Sequence, residues 1–203
     1  MRWPRPNTGG KAGGEWIRKP GNLPTRDGGT RGREDGPEPV ITLVLGGARS
    51  GKSEYAERLA ASLQQPVTYI ATAAFGNDAD FDARIAVHQQ RRPPAWVTVE
   101  SGPDLAGALS AAQGTVLVDS LGTWVASSPG FEVDASSLCD ALRSRTADTV
   151  LVSEEVGLGV HPSSEAGGRF RDALGCANQM VAAVADEVFL VVAGRALRLE
   201  AGG

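Results

Sequence analysis

The stretch Gly46-Gly47-Ala48-Arg49-Ser50-Gly51-Lys52-Ser53 fits the pattern G-x-x-x-x-G-K-[ST] and constrains the chain more than any other feature. Such a loop binds phosphate only when a strand delivers it and a helix leaves it, and both flanks are present. Before it, Val40-Ile41-Thr42-Leu43-Val44-Leu45 is a short apolar run, as a buried parallel strand requires. After it, Tyr55, Ala56, Leu59, Ala60 and Leu63 recur at helical spacing over Ser53 to Leu63. The glycines let backbone N–H groups turn inward on phosphate oxygens, and the helix N-terminus adds a positive dipole there. In that arrangement Lys52 would contact the β- and γ-phosphates and the Ser53 hydroxyl would ligate Mg²⁺. Lys52 is the only lysine after residue 19, in a chain that otherwise uses arginine for its cations. A nucleoside triphosphate with Mg²⁺ is therefore the expected ligand.

Beyond the loop, strands and helices alternate. Val67 to Ala71, Trp96 to Glu100, Thr115 to Asp119, Thr149 to Ser153 and Glu187 to Val192 read as strands. Asp80 to about Gln90, Leu105 to Ala112, Ala135 to Arg145 and Phe170 to Ala185 read as helices. A Gly194 break and Ala196 to Leu199 suggest a closing hairpin. This order implies an α/β fold, a mostly parallel sheet with helices on both faces. The 203 residues, 41% of them hydrophobic, suffice for one core. Residues 1–39 are dense in Gly, Pro and Arg without any period, so they are expected to be a disordered leader ahead of a single domain at 40–203.

A net charge of −4 argues against a nucleic-acid-coating protein, whose phosphate contacts need clustered Lys and Arg. No apolar run approaches the ~18 residues of a membrane span. The two cysteines, Cys139 and Cys176, have no metal-site or disulfide-framework spacing, and buried, inert thiols in a reducing cytoplasm are expected.

Carboxylates at the ends of parallel strands face the ligand crevice. Asp119 ends one such strand and could hold Mg²⁺ beside Ser53; it could also cap a turn. Glu154 and Glu155 follow another and are candidates too. Of the two histidines, His88 precedes Gln89-Gln90-Arg91-Arg92 near a helix end. A neutral imidazole can attack phosphorus while arginines offset phosphate charge, although a helix-terminal histidine is also an ordinary surface residue. His161 lies in a glycine-rich turn with no such neighbours.

These residues resemble the bifunctional adenosylcobinamide kinase/adenosylcobinamide-phosphate guanylyltransferase family of cobalamin (vitamin B12) biosynthesis. The likeness lies in G-G-A-R-S-G-K-S at Gly46 to Ser53, Y-I-A-T at Tyr69 to Thr72, and R-I-x-x-H-x-x-R-R-P followed by Trp96. It continues through the strand ending at Asp119, E-V-G-L-G at Glu155 to Gly159, and F-R-D-x-L-G-x-x-N-Q at Phe170 to Gln179. The resemblance implies a P-loop NTPase of RecA-like fold that phosphorylates adenosylcobinamide with ATP or GTP. A second step then transfers GMP from GTP to adenosylcobinamide phosphate through a guanylylated histidine. His88 alone matches the histidine of that motif and inherits the nucleophile role. By the same resemblance Ala71, Thr72, Ala73, Gln89, Gln90, Arg91, Arg92, Glu100 and Asp119 would line the guanine nucleotide, and the assembly would be a homotrimer.

Two positions depart from the family pattern. Glu154 stands where an asparagine is frequent, and Gly122 where a threonine is common. A kinase that has kept only the first step, or a nucleotide-sensing switch, would share the loop without needing His88.

Overall fold

The structure is a computed structural model, and it describes residues 38–72 and 93–201. Seven strands form one sheet: β1 (Ile41–Gly46), β2 (Val67–Ala71), β3 (Val97–Glu100), β4 (Thr115–Asp119), β5 (Thr149–Glu154), β6 (Glu187–Val192) and β7 (Arg195–Leu199). Their spatial order is β3-β2-β4-β5-β1-β6-β7, and only β7 runs antiparallel to its neighbour. The expected mostly parallel sheet is therefore present, with β1 near its middle. Its central strands are apolar on both faces, as a sheet covered on both sides demands.

Five helices join the described strands: α1 (Lys52–Ser62), α2 (Leu105–Ala111), α3 (Leu121–Ser127), α4 (Ala135–Arg143) and α5 (Glu165–Ala182). Side chains alternate across each strand, and this splits the core in two. Leu43, Ile70, Val116, Val118 and Leu151 point to one face, where they pack with Leu105, Leu121, Trp124, Leu138 and Leu174 from α2 to α5. On the other face α1 buries Tyr55, Ala56, Leu59 and Ala60. Tyr55 meets Phe189 of β6 there, with ring centroids 5.6 Å apart.

The element boundaries correct the sequence reading in several places. Helix α3 has no counterpart among the helices expected from the sequence; its N-cap Ser120 accepts from the Thr123 N–H in a capping box, a signal hidden behind Gly122. Helix α5 begins at Glu165 rather than Phe170, capped by Ser164, because Gly167 and Gly168 masked its first turn. Strand β5 runs one residue further than expected and takes Glu154 into the sheet. Cys139 is buried as expected, and burial pushes its thiol pKa up, but Cys176 is exposed. It falls on the outward side of α5, whose buried residues are Leu174, Ala177 and Val181. The helix expected over residues 80–90 and the leader to residue 37 lie outside the described residues.

The end of the sheet away from the glycine loop is held by Arg145. Its guanidinium donates to the carbonyls of Leu109 (2.9 Å), Ala112 (3.1 Å) and Gly114, and to Thr149 Oγ1 (2.8 Å). Burial lowers its pKa, and the carbonyls supply the partners that a desolvated cation requires.

Candidate nucleotide-binding site

Strand β1 delivers Gly46 to the carboxyl edge of the sheet, and the chain turns back into α1 within six residues, at Lys52. No side chain fits at Gly46, since a Cβ there would lie 2.5 Å from Ser50 Oγ and 2.8 Å from the Val191 carbonyl oxygen. Gly51 adopts φ 92°, in the left-handed region that favours glycine. The loop is also braced from outside. Ala193 and Gly194 form the β6–β7 turn with φ of 50° and 73°, and the Gly194 N–H donates to the Ser50 carbonyl at 2.7 Å. Positive φ at both central positions suits a two-residue hairpin turn. Gly47, Ala48 and Arg49 stay exposed, while the buried Ser50 hydroxyl has no protein partner among the described residues. The result is a backbone cradle free of side-chain bulk, open at one rim and aimed by a helix N-terminus, which fits a phosphate chain.

Lys52 is buried at the base of this cradle, with Nζ 3.4 Å from the Gly47 carbonyl oxygen and 3.3 Å from Glu154 Oε1. One residue on, Ser53 Oγ donates to Asp119 Oδ1 at 3.4 Å. Tyr69 OH donates to the other carboxylate oxygen at 2.8 Å, orienting Asp119 from β2. The hydroxyl and the carboxylate thus meet beside the phosphate cradle. Mg²⁺ keeps several waters and needs only one or two protein oxygens when phosphates supply the others, so Ser53 and Asp119 fit it.

The other sequence candidates separate. Ala71 pairs with Asp119 on one side and Glu100 on the other, so all three stand at one level along the carboxyl edge. Thr72 is buried and uses its hydroxyl internally: it donates to the Ser120 carbonyl at 2.6 Å, accepts from the Ser120 N–H at 2.9 Å and contacts the Thr123 hydroxyl. The Glu155 carboxylate accepts from the N–H groups of Gly157 (2.7 Å) and Leu158 (3.1 Å), shaping its own turn. His161 is exposed, with Nδ1 2.8 Å from the Pro162 carbonyl oxygen. Ala73, His88, Gln89, Gln90, Arg91 and Arg92 lie outside the described residues.

Two contributors had no signal of their own in the sequence. Ser120 donates to both Glu154 carboxylate oxygens, at 3.2 and 3.0 Å, from the β4–α3 junction. Asn178 of α5 fixes the end of β5 by donating to the Glu154 carbonyl at 3.0 Å and accepting from Ser153 Oγ at 2.6 Å. Only its place in the segment Phe170 to Gln179 marked it.

Residues 42–199 match the model of the family described as cobinamide kinase / cobinamide phosphate guanyltransferase. The chain belongs to this family. It is 39% identical over 167 residues to the bifunctional adenosylcobalamin biosynthesis protein CobP of Pseudomonas aeruginosa, covering 78% of this chain and 96% of that one. To the bifunctional adenosylcobalamin biosynthesis protein CobU of Escherichia coli K12 it is 36% identical over 183 residues, covering 79% of this chain and all of that one. Among solved structures it is similar to the flagellar accessory protein FlaH of Methanocaldococcus jannaschii, at a TM-score of 0.48 and 13% identity, over 81% of this chain and 79% of that one. Family membership makes the chain a nucleotide-using transferase of cobalamin biosynthesis. No helix among the described residues is long and apolar enough to cross a membrane.

Proposed function

We propose that the cradle from Gly46 to Ser53 presents the terminal phosphate of ATP or GTP to the aminopropanol hydroxyl of adenosylcobinamide. The same protein then transfers GMP from GTP to adenosylcobinamide phosphate. The observation that carries this reading is the meeting of Lys52, Ser53 and Asp119 on one edge of the sheet, in a chain of the cobinamide kinase / cobinamide phosphate guanyltransferase family. Backbone N–H groups of the loop and the α1 N-terminus orient the phosphates. Lys52 stabilises the charge that develops on the oxygens of the transferred group, a role worth most inside a pre-formed cradle. Mg²⁺ bound to Ser53 and Asp119 would neutralise charge on the phosphates.

For the second step His88 is the nucleophile. Its neutral imidazole attacks the α-phosphorus of GTP, a P–N bond forms as the bond to pyrophosphate breaks, and the phosphate oxygen of adenosylcobinamide phosphate then displaces histidine. The products are adenosylcobinamide-GDP and pyrophosphate. Covalent catalysis divides the transfer into two in-line displacements. Gln89, Gln90, Arg91, Arg92, Ala71, Thr72, Ala73 and Glu100 line the guanine nucleotide in this reading. The working unit is a cytoplasmic homotrimer of the 40–203 domain.

The test uses GTP labelled at the α-phosphate. We expect the protein to retain an acid-labile, alkali-stable label that His88→Ala lacks, and incubation with adenosylcobinamide and GTP to give adenosylcobinamide-GDP by mass. A label that persists in His88→Ala removes the nucleophile assignment. Phosphorylated cobinamide without the GDP product reduces the chain to a kinase.

A further inference from the structure

Gly122, in the first turn of α3, and Glu154, at the end of β5, touch each other. A Cβ built on Gly122 would fall 1.8 Å from Glu154 Oε2 and 2.7 Å from Glu154 Cδ. The carboxylate therefore occupies the volume that any side chain at 122 would need, and Glu154 takes this pose only because residue 122 is glycine. Strand β5 lies between β1 and β4, and Glu154 pairs in register with Gly46 at the start of the loop. This sets the carboxylate among Lys52 Nζ at 3.3 Å and the Ser120 hydroxyl at 3.0 Å. Asn178 fixes the Glu154 backbone from below. The side chain is therefore anchored at both ends.

We propose that Glu154 is a built-in competitor of the triphosphate: a counter-ion that holds Lys52 until β- and γ-phosphate oxygens take the lysine from it, with Gly122 as the position that admits it. The ammonium and carboxylate are largely shielded, at 11% and 30% side-chain exposure, so their attraction is screened less than that of a surface pair. A triphosphate entering the cradle brings anionic oxygens to the same ammonium. It must separate the pair and then lie beside an unpaired carboxylate. Both effects weaken nucleotide binding, and both act at the β- and γ-phosphates rather than at the base or the α-phosphate. Glu154 is thus a positioning residue that sets nucleotide affinity through Lys52.

This inference rests on the phosphate-cradle reading above, and calorimetric titration of the full chain with GTP, GDP and GMP in Mg²⁺ separates the two. Glu154→Gln keeps the shape and removes the charge. We expect its Kd for GTP to fall about ten-fold relative to the parent, with a smaller fall for GDP and none for GMP. Gly122→Ala keeps the charge but displaces the carboxylate, and it should tighten GTP in the same direction. In the Glu154→Gln background it should add little, because the two changes break one contact. Unchanged or weaker GTP binding by Glu154→Gln overturns the competitor role, and equal tightening for GTP and GMP does so as well. Lys52→Ala is the control for the cradle itself: if it binds GTP as the parent does, the phosphate-loop assignment fails whatever Glu154 does.

Discussion

Lys52 starts α1 with its ammonium buried beneath a loop that leaves no room for side chains at Gly46. In the proposed reaction a cation fixed there acts on charge that develops during phosphoryl transfer, so Lys52→Ala should lower the rate of cobinamide phosphorylation about 100-fold or more while the fold persists. Product formation followed by mass, beside a thermal melt, checks both halves of that expectation. This residue was legible in the sequence because its motif is local: eight consecutive residues carry the glycines, the cation and the hydroxyl. Asp119 was legible for a related reason, since a carboxylate at the end of an apolar strand announces its own position. Ser120 and Gly122 were not. Their roles depend on which strand lies beside which, and no spacing along the chain says that Glu154 arrives between Lys52 and Ser120. Gly122 and Glu154 were each visible alone, but their contact is a property of the folded sheet.

At the scale of elements, strands were read better than helices because the central parallel strands are short apolar runs with glycine or carboxylate stops. The helices that were misjudged have glycine in their first turns, Gly122 in α3 and Gly167 and Gly168 in α5. There capping serine hydroxyls, not propensity, define the start. Helix α4 offers a test of such a cap. Asp134 accepts from the Ser137 hydroxyl (2.7 Å) and the Ser137 N–H (2.9 Å), and these bonds hold its carboxyl below the usual carboxylate range. A carboxyl whose folded pKa is depressed contributes stability above its unfolded pKa and loses it as pH falls through the folded value. Asp134→Asn should therefore flatten the acid limb of a stability–pH curve below about pH 4, measured by urea midpoints, and leave the slope near neutrality unchanged. Arg145 makes a stronger demand, because its guanidinium ties the α2–β4 connection to β5 through carbonyls that would lose their donor together. Arg145→Ala should cost about 2–4 kcal/mol in urea denaturation. Arg145→Lys should recover only part of that, as an ammonium cannot reproduce the planar fork.

At the scale of the molecule, the site and the core are coupled through the sheet: β1 and β5 carry the loop and Glu154 at their ends and bury Leu43 and Leu151 in the same cluster as Cys139. Cys139 has a raised thiol pKa because burial disfavours the thiolate, so it should alkylate only when the structure opens. Cys176 is exposed and should react directly, so Cys176→Ala isolates the buried thiol. Two openings could expose Cys139, and they respond differently to nucleotide. If α4 detaches locally, GTP bound at the other end of β1 and β5 leaves the alkylation rate unchanged. If exposure requires the sheet to come apart, ligand bound only to the folded form opposes it by RT ln(1 + [L]/Kd), and GTP at 100 times its Kd should slow alkylation about 100-fold. The second outcome is expected, because Leu138 and Leu142 of α4 are as fully buried as the strand residues they cover, which leaves no weakly held surface along which the helix could part alone. The GTP dependence of Cys139 alkylation in Cys176→Ala, followed by mass, decides between them.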